Sequence, residues 1–361
     1  MSAGPGVLVA LAFYALLDVT AARLLRTTLL WGPEAVERRY RIAHPVYHHD
    51  LAPNVSLTAV WGGIPYPHAT NSLGFRDAAV RSVPLRSTHP RLLLIGDSFT
   101  EGLGVPFADT YAGRLARQLA PCGVEVLNAG VMSYAPSIYA RKIEHLLDDR
   151  GLHFDFALVA IDLSDIGDEA DRYVLDEHRR VVDRTAPGSL RARSFLKEHS
   201  LLVHVLDLLW DGLRGRSADP AQYADWTTDT GQFQAYGATG LALAERRMDD
   251  LAGVLRRHGI PLAIAVYPYP AEVYRSLRGT KQEAFWREWA SSKGAMFFDL
   301  YPAFMQSPDA ATAVDRYFLA HDVHWSAEGH ALVTATLLAE GLADSLARYL
   351  PLPTRGGPRC E

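Results

Sequence analysis

A serine and a histidine that are far apart in the sequence have the surroundings of a nucleophile and its base. Ser98 lies in the motif GDSFT, directly after an apolar run, and His324 lies in the motif HDVHWS. A serine hydroxyl becomes nucleophilic when a base removes its proton, and a carboxylate commonly orients that base. We therefore predict Ser98 as the nucleophile, His324 as the base and Asp322 as the orienting carboxylate. His321 is the alternative base.

Three groups could donate hydrogen bonds to the oxyanion that forms during acyl transfer. The backbone N–H of Ser98 and that of Gly130, which ends the run NAG, would form a pair of donors to a tetrahedral intermediate. Ser164 follows another apolar run, and its hydroxyl is a candidate third donor. A helix cap is the alternative role for Ser164.

Two further motifs offer contacts to a substrate. Asn71 and Arg76 belong to the motif TNSLGFRD, in which the guanidinium could bind a carboxylate or phosphate through two hydrogen bonds. The alternative there is a surface turn with a structural ion pair. Tyr267 and Tyr269 belong to the motif YPYP, and their rings could stack on a sugar. Packing in the core is the alternative for both tyrosines.

The elements that must position these residues alternate between strands and helices. Short apolar runs bounded by Gly, Pro or Asp predict buried parallel strands at 91–97, 125–130, 156–162, 261–268 and 296–301. Patterns with helical spacing predict helices at 110–120, 136–150, 242–258, 283–293 and 327–349. The alternation predicts an α/β fold, a three-layer α/β/α sandwich with a doubly wound parallel sheet. Ligands of such sheets bind beyond the carboxyl ends of the strands, where the motifs above fall.

The rest of the chain is divided by changes in composition. We predict a catalytic domain over 86–350 with an insertion at about 171–237, which interrupts the alternation and could cap the active site. The preceding residues 34–85 show no clear periodicity and predict an irregular extension. Residues 351–361 form a predicted flexible tail, and 1–33 a hydrophobic N-terminal segment.

The N-terminal segment has two interpretations. Val7 to Leu17 is apolar and has the length of a signal-peptide core, but Asp18 and Arg23 interrupt the pattern before it could complete a full membrane span. Arginines follow this run instead of preceding it, which opposes an orientation with the body outside. A membrane anchor or uncleaved signal, and a helix that lies on the membrane or on the domain, are both open.

Composition excludes several classes of protein. The chain is 48% hydrophobic and 21% charged with a net charge of −5, which is typical of a globular protein and not of a disordered one. Lys and Arg are scattered, so we expect no nucleic-acid partner. The two cysteines, Cys122 and Cys360, do not form a zinc-type spacing, so we expect no metal site and two unpaired thiols.

Four ordered blocks between residues 91 and 349 resemble those of the SGNH/GDSL hydrolase superfamily. GDSFT matches the nucleophile block, and NAG matches the glycine block. The third block has Ser164 before Asp165, where the family has Asn before Asp. The last block has one residue between Asp322 and His324, where the family has two. The resemblance implies a flavodoxin-like SGNH fold with Ser98, Gly130 and the residue at 164 around the oxyanion.

The shorter Asp-x-His-Trp form resembles the branch related to alginate O-acetyltransferases. This resemblance implies acyl transfer or ester hydrolysis through an acyl-Ser98 intermediate, on O-acetyl or other O-acyl groups of a glycan or exopolysaccharide or on a small ester. It also implies an extracytoplasmic location at the periplasm or cell surface, an N-terminal membrane tether and a membrane-bound acyltransferase as partner. The mechanism through Ser98, His324 and Asp322 needs no metal or organic cofactor. The alternative is a catalytically idle SGNH-like subunit that binds glycan or acts as a scaffold. The complete trio of Ser98, Asp322 and His324 argues against that alternative.

Overall fold

The chain folds into two compact units. A computed structural model describes residues 5–25, 36–184, 195–196, 199–214, 225–307 and 309–350 of the 361-residue chain. The larger unit is formed by Tyr40–Asp183 and Pro220–Glu361, and the smaller by Met1–Arg39 and Arg184–Asp219. The predicted flexible tail at 351–361, which includes Cys360, lies outside the described residues.

Most strands of the larger unit belong to one mixed sheet. The strands within the described ranges are β1 (Arg41–His44), β2 (His48–Leu51), β3 (Ser56–Trp61), β4 (Ile64–Thr70), β5 (Arg76–Asp77), β6 (Arg91–Ile95), β7 (Glu125–Asn128), β8 (Phe156–Ile161), β9 (Tyr173–Leu175), β10 (Val181–Asp183), β11 (Leu262–Val266) and β12 (Met296–Asp299). Eight of them form a sheet in the order β12-β11-β8-β6-β7-β5-β4-β3. The pairs β1–β2 and β9–β10 are separate antiparallel hairpins.

The parallel half of the sheet consists of the five strands that the sequence predicts. Strands β7, β6, β8, β11 and β12 are neighbours in this order, and the pairings between these five strands are all parallel. The central strands β6 and β8 are buried along their whole length. The chain moves from β6 outward to β7 and then returns past β6 to β8, which makes the β6–β8 boundary the switch point of a doubly wound sheet.

Helices of the larger unit flank this sheet, which confirms the predicted three-layer α/β/α fold. The helices within the described ranges are α1 (Pro5–Leu24), α2 (Ser98–Glu101), α3 (Tyr111–Leu119), α4 (Pro136–Glu144), α5 (Asp165–Asp171), α6 (Leu201–Arg214), α7 (Thr230–Gln232), α8 (Ala238–Arg257), α9 (Pro270–Tyr274), α10 (Lys281–Lys293), α11 (Tyr301–Phe304), α12 (Ala310–Tyr317), α13 (Ala327–Ala339) and α14 (Leu342–Tyr349). Of these, α1 and α6 belong to the smaller unit. Helix α8 packs on α4 and α5, whereas α13 packs on α3 and α12. Gly341 separates α13 from α14, where one continuous helix was predicted.

The N-terminal part of the larger unit is not irregular, so the prediction for residues 34–85 is wrong in this respect. Strands β3, β4 and β5 continue the main sheet beyond β7 as an antiparallel extension. Strand β4 contains Pro65 and Pro67, and proline within a run argues against a strand because it lacks an N–H for the ladder. The structure accommodates both prolines because β4 pairs with β5 only through Ala69 and Thr70.

A tight turn joins β3 to β4. Trp61 pairs with Ile64, so that Gly62 and Gly63 form a two-residue hairpin loop. Their φ angles are +56° and +81°, in the left-handed region that such a loop requires and that glycine adopts without steric cost. The hairpin tip is thus defined by residues 61–64.

The smaller unit contains a pair of helices with many exposed apolar side chains. The N–H of Leu202 at the start of α6 donates to Asp18 of α1 at 2.9 Å. Between Val7 and Leu17, seven large side chains of α1 are each more than half exposed: Val7, Val9, Leu11, Phe13, Tyr14, Leu16 and Leu17. Within the described ranges, none of the helices combines the length and the apolar character that crossing a bilayer requires.

The predicted insertion is shared between the two units. Its first residues form the β9–β10 hairpin of the larger unit, and residues 184–219 belong with the N-terminal segment in the smaller unit. From Asp225 onward the chain is again part of the larger unit. A role of the insertion as a cap on the active site stays a prediction.

The cysteines differ from expectation. Cys122, at the end of a short 3-10 segment, is disulfide-bonded, so the prediction of two unpaired thiols is wrong. The spacing of two cysteines in a sequence does not reveal whether their sulfur atoms meet in the fold.

Candidate active site

Ser98 occupies the end of β6 at the switch point of the sheet. Strand β6 stops at Ile95, and after Gly96 and Asp97 the chain turns directly into α2, whose first residue is Ser98. The Asp97 side chain accepts the N–H of Phe99 at 3.0 Å and caps this short helix. The hydroxyl of Ser98 is therefore held on a rigid strand–helix junction at the carboxyl edge of the parallel strands.

His324 and Asp322 meet this serine from the loop before α13. The distance from Ser98 Oγ to His324 Nε2 is 2.8 Å, and the distance from His324 Nδ1 to Asp322 Oδ1 is 2.5 Å. The loop is held by Ser326, whose hydroxyl caps α13 by accepting the N–H of Gly329. His321 has an exposed position in the same loop. The structure thus brings together the three residues predicted as nucleophile, base and orienting carboxylate.

The protonation of Asp322 suits this role. Burial raises the pKa of this carboxyl, but hydrogen bonds and charge from His324, together with the N–H of Trp61, outweigh it and lower the pKa to about 2. Asp322 is therefore a carboxylate at neutral pH and accepts the Nδ1–H of His324. The lone pair of Nε2 is then free to accept the proton of Ser98.

A cluster of buried carboxyls lies next to Ser98. Asp97, Asp162 and Asp165 have oxygen atoms within 4.8 Å of one another, close enough to share a cation or protons. Burial and the charge of Asp162 raise the pKa of Asp97 well above its usual range, and burial likewise raises that of Asp165. The hydroxyl of Ser98 has two acceptors within reach, Asp97 Oδ2 at 3.0 Å and His324 Nε2 at 2.8 Å.

Two of the three predicted oxyanion donors already have acceptors. The N–H of Gly130 donates to Asn128 Oδ1 at 3.1 Å, and the hydroxyl of Ser164 donates to Asp162 Oδ2 at 2.5 Å. The N–H of Ser98 lies in the first turn of α2, where helical N–H groups lack intrahelical acceptors, and it has no acceptor within the described part of the chain. Ser98 is thus the donor that the fold leaves available.

Ser164 also lines a cavity of about 360 Å³ beside the strand ends. The other lining residues are Gly167, Asp168, Asp171, Asp225, Gln232 and Tyr236. Burial raises the pKa of Asp168 to about 6. The cavity therefore combines carboxyl and amide groups with one aromatic ring, and part of its wall comes from the end of the predicted insertion.

Arg76 does not face a substrate, contrary to its predicted role. Its guanidinium is buried and donates to the backbone carbonyls of Glu101, Gly102 and Val105, which lie in and after α2. Because these three carbonyls occupy the guanidinium, a substrate anion could reach it only by displacing the segment that follows α2. Arg76 supports the segment that follows the nucleophile.

The other predicted substrate contacts are also internal. Asn71 is buried, donates to Asp77, and accepts the N–H groups of Leu73 and Phe75, as in a side-chain-stabilised turn. The hydroxyls of the buried Tyr267 and Tyr269 donate to Asp97 and Asp162, respectively. The alternative of core packing describes the two tyrosines, and their rings are not presented to a sugar.

Sequence reasoning missed Trp61 and the carboxyl cluster. The Nε1–H of Trp61 donates to Asp322 Oδ2 at 2.8 Å. The only signal for Trp61 was its place before a Gly-Gly pair, a hairpin signature that the prolines of β4 obscured. Asp162 and Asp165 follow β8 as Ser98 follows β6, so their shared sheet edge could have indicated the cluster.

The chain is similar to several solved structures at low sequence identity. No known protein-family model matches the chain, and no curated protein matches it. A crystal structure of TesA is 13% identical with a TM-score of 0.40 and covers 72% of this chain and 99% of its own. Axe2, an acetylxylan esterase from Geobacillus stearothermophilus, is 17% identical with a TM-score of 0.38, over 72% and 96% of the two chains. The esterase EstA from Pseudoalteromonas sp. is 11% identical with a TM-score of 0.39, over 71% and 98%.

Proposed function

We propose that the protein is a serine esterase or O-acyltransferase of the SGNH/GDSL type that works through an acyl-Ser98 intermediate. The observation that carries this proposal is the unbroken hydrogen-bond chain from Ser98 through His324 to Asp322. Each member has the partner that its role requires: the hydroxyl meets a basic nitrogen, and the other ring nitrogen meets a carboxylate.

The chain of hydrogen bonds supports a two-step reaction. His324 Nε2 takes the proton of Ser98 while Oγ bonds to the ester carbon, whose carbonyl electrons move onto oxygen. The tetrahedral intermediate collapses, the bond to the alcohol oxygen breaks, and His324 returns its proton to that oxygen. In the second step, water or a sugar hydroxyl gives its proton to His324 and attacks the acyl carbon, and Ser98 leaves with the proton. Asp322 stabilises the imidazolium in both steps.

The oxyanion has one unoccupied donor and two that are occupied in this structure. The Ser98 N–H has no acceptor among the described residues. The N–H of Gly130 and the hydroxyl of Ser164 would each have to break an internal hydrogen bond first. Our proposal therefore gives the Ser98 amide the main role. Gly130 and Ser164 would donate to the oxyanion only if their hydrogen bonds to Asn128 and Asp162 break.

An acylated glycan is the substrate class that we favour. The cavity at Ser164 offers carboxyl oxygens and an amide that can hydrogen-bond hydroxyl groups, and the ring of Tyr236 could stack on a sugar face. Resemblance to the Asp-x-His-Trp branch points to the same class and to transfer between glycans. Transfer and hydrolysis share the acyl-Ser98 intermediate, so an acceptor bound in this cavity would decide between them through its effective concentration.

The smaller unit supports a location at a membrane. The exposed apolar side chains of α1 project from opposite sides of the helix, because Val7 and Val9 lie about 200° apart at 3.6 residues per turn. A protein partner would cover one stripe of such a helix, whereas lipid surrounds it. We include in the proposal that this unit contacts a bilayer outside the cytoplasm, where a membrane-bound acyltransferase could be the partner.

Labelling with a fluorophosphonate and turnover of a chromogenic acetyl ester test the proposed chemistry. Ser98→Ala should abolish labelling, and His324→Ala should remove most of both signals. In turnover, the double variant should lose little more than either single variant, because the two residues act in one step. Labelling that persists in Ser98→Ala would show that another residue is the nucleophile, whereas an intact chain that neither labels nor turns over esters would leave the scaffold alternative.

A further inference from the structure

The carboxylate of Asp322 has a second side-chain partner, which comes from a distant part of the chain. His324 Nδ1 bonds to Oδ1 at 2.5 Å, and Trp61 Nε1 donates to Oδ2 at 2.8 Å. The two oxygen atoms of one carboxylate are thus held by two different side chains. Trp61 lies in the N-terminal sheet extension, 261 residues from Asp322.

The hairpin tip at residues 61–64 is built to present this tryptophan. Trp61 is the last residue of β3, and the Gly62–Gly63 loop reverses the chain immediately after it. A Cβ atom at Gly62 would lie 3.9 Å from Asp322 Oδ2, so the backbone of the tip also borders the carboxylate. The indole ring meets the imidazole of His324 edge-on, with ring centroids 5.0 Å apart.

A second donor changes what the carboxylate can do. A carboxylate held at one oxygen can rotate about its Cβ–Cγ bond, and its plane then leaves the imidazole. Donors on both oxygen atoms fix that plane, which keeps Oδ1 directed at Nδ1 of His324 and Nε2 directed at Ser98. The triad loop supplies one donor to this carboxylate through its backbone as well, from the N–H of His324 to Oδ1 at 3.0 Å.

We propose that Trp61 is a positioning residue of the active site, which acts by fixing the carboxylate of Asp322 through its Nε1–H. This inference rests on the proposed catalytic roles of Ser98, His324 and Asp322. It makes the N-terminal sheet extension part of the catalytic apparatus: without β3 and its turn, the orienting carboxylate would keep one side-chain partner only.

The indole could instead serve packing alone, and the choice of variants separates the two roles. Trp61→Phe keeps an aromatic ring against His324 but removes the N–H. Trp289→Phe is the control, because it removes the same kind of hydrogen bond, from Trp289 Nε1 to Asp249 Oδ1 at 2.8 Å, between α10 and α8. The free energy of unfolding of each variant, from chemical denaturation, shows how much of any effect comes from a loss of stability.

The test is a double-mutant cycle on kcat/KM for a small acetyl ester. We expect Trp61→Phe to lower kcat by about 10-fold with KM little changed, since it loses one hydrogen bond to a charged acceptor. In a protein that already carries Asp322→Ala, the same change should have almost no effect, because the acceptor is gone. Trp289→Phe should leave kcat unchanged relative to each of the two backgrounds.

Each outcome bears on a different claim. Equal losses from Trp61→Phe with and without Asp322 would overturn the positioning role, because a packing effect does not depend on the carboxylate. Unchanged kcat in Trp61→Phe would overturn it as well. An unaltered protein that turns over no ester and reacts with no fluorophosphonate would contradict the proposed function itself, independently of Trp61.

Discussion

At the scale of single residues, the hydroxyl of Ser164 is committed to an internal acceptor. It donates to Asp162 Oδ2, which also accepts the hydroxyl of Tyr269 at 2.6 Å and the N–H of Ser164 at 3.2 Å. A buried carboxyl with three donors is a strong local acceptor. An oxyanion would have to compete with it for the proton of Ser164, although this serine stands where the resembling family has an oxyanion donor.

Ser164→Ala measures that competition. We expect kcat to fall by less than about 10-fold, because the hydroxyl stays with Asp162 during the reaction, whereas loss of a true oxyanion donor costs about 100- to 1000-fold. The measurement is steady-state turnover of a chromogenic acetyl ester, with the midpoint of thermal unfolding as a control. A loss of 100-fold at an unchanged midpoint would show that the hydroxyl leaves Asp162 in the transition state. Gly130 cannot be tested in the same way, because its donor is a backbone N–H that alanine would keep, and a Cβ there would lie 2.5 Å from the Thr100 side chain.

At the scale of elements, the β1–β2 hairpin and the antiparallel extension of the sheet are both tied to α2, the helix that begins at Ser98. Arg41 of β1 forms two hydrogen bonds of 2.9 Å with the carboxylate of Glu101, the last residue of α2. Glu101 also accepts the N–H of Met132 at 2.7 Å, which links it to the loop after β7. Arg76 of β5 completes the connection through the carbonyls that follow α2. The β1–β2 hairpin and the extension therefore hold α2 in place, as the hairpin tip at 61–64 holds the carboxylate of Asp322.

Arg76→Met should separate this supporting role from substrate binding. The change leaves buried carbonyls at Glu101, Gly102 and Val105 without their donor, so we expect about 3 kcal/mol less free energy of unfolding. The measurement is urea denaturation followed by circular dichroism, with KM for the acetyl ester at a temperature where the variant is folded. KM should stay close to that of the unaltered protein. A KM that rises 10-fold or more at unchanged stability would show instead that Arg76 binds the substrate.

Sequence patterns predict the regular elements of this fold. They do not predict the elements whose formation depends on partners far away in the sequence. The strands β6, β7, β8, β11 and β12 are continuous apolar runs, because both faces of a parallel sheet are covered, and their positions follow directly from the sequence. The short strands β3 to β5 pair mainly with each other, and the prolines of β4 hide their pattern. No local signal shows that they complete the sheet.

The candidate site divides in the same way. A serine, an aspartate and a histidine have side chains suited to a nucleophile, an orienting carboxylate and a base. The motifs around Ser98, Asp322 and His324, and the order of these motifs along the chain, therefore suffice to propose the three. Arg76 and Tyr267 have equally suitable side chains for a substrate, but their roles depend on burial, which one sequence does not reveal. Trp61 contributes through a single N–H whose acceptor lies in another segment.

At the scale of the whole molecule, the polar chemistry and the apolar surface are in different units. The triad and the cavity at Ser164 belong to the larger unit, whereas the exposed side chains of α1 and α6 belong to the smaller. On α6, Leu202, Leu206, Leu209 and Trp210 are each at least 45% exposed and recur at the spacing of one helix face. Asp18, the acid within α1, is occupied in capping α6.

Binding to lipid vesicles tests the proposed membrane contact. The full chain should sediment with vesicles of phosphatidylcholine and phosphatidylglycerol, and combining Leu206→Ser, Leu209→Ser and Trp210→Ser should lower the bound fraction at least about 10-fold by removing buried apolar area. The matched control combines Ile42→Ser, Val80→Ser and Tyr274→Ser, which remove exposed apolar side chains from the larger unit. A chain that stays in the supernatant, or equal losses in both sets, would contradict the contact.

The long sequence separation between the residues of the site has a consequence for the timing of folding. Contacts between Ser98 and His324 span 226 residues, and the bond from Trp61 to Asp322 spans 261. Closing such long loops is slow compared with forming local helices and neighbouring strand pairs. During synthesis, the N-terminal strands leave the ribosome well before the loop at 321–326 exists. In a refolding experiment, the proposed esterase activity should therefore recover after the circular dichroism signal of secondary structure, because activity requires these long-range contacts, which form last.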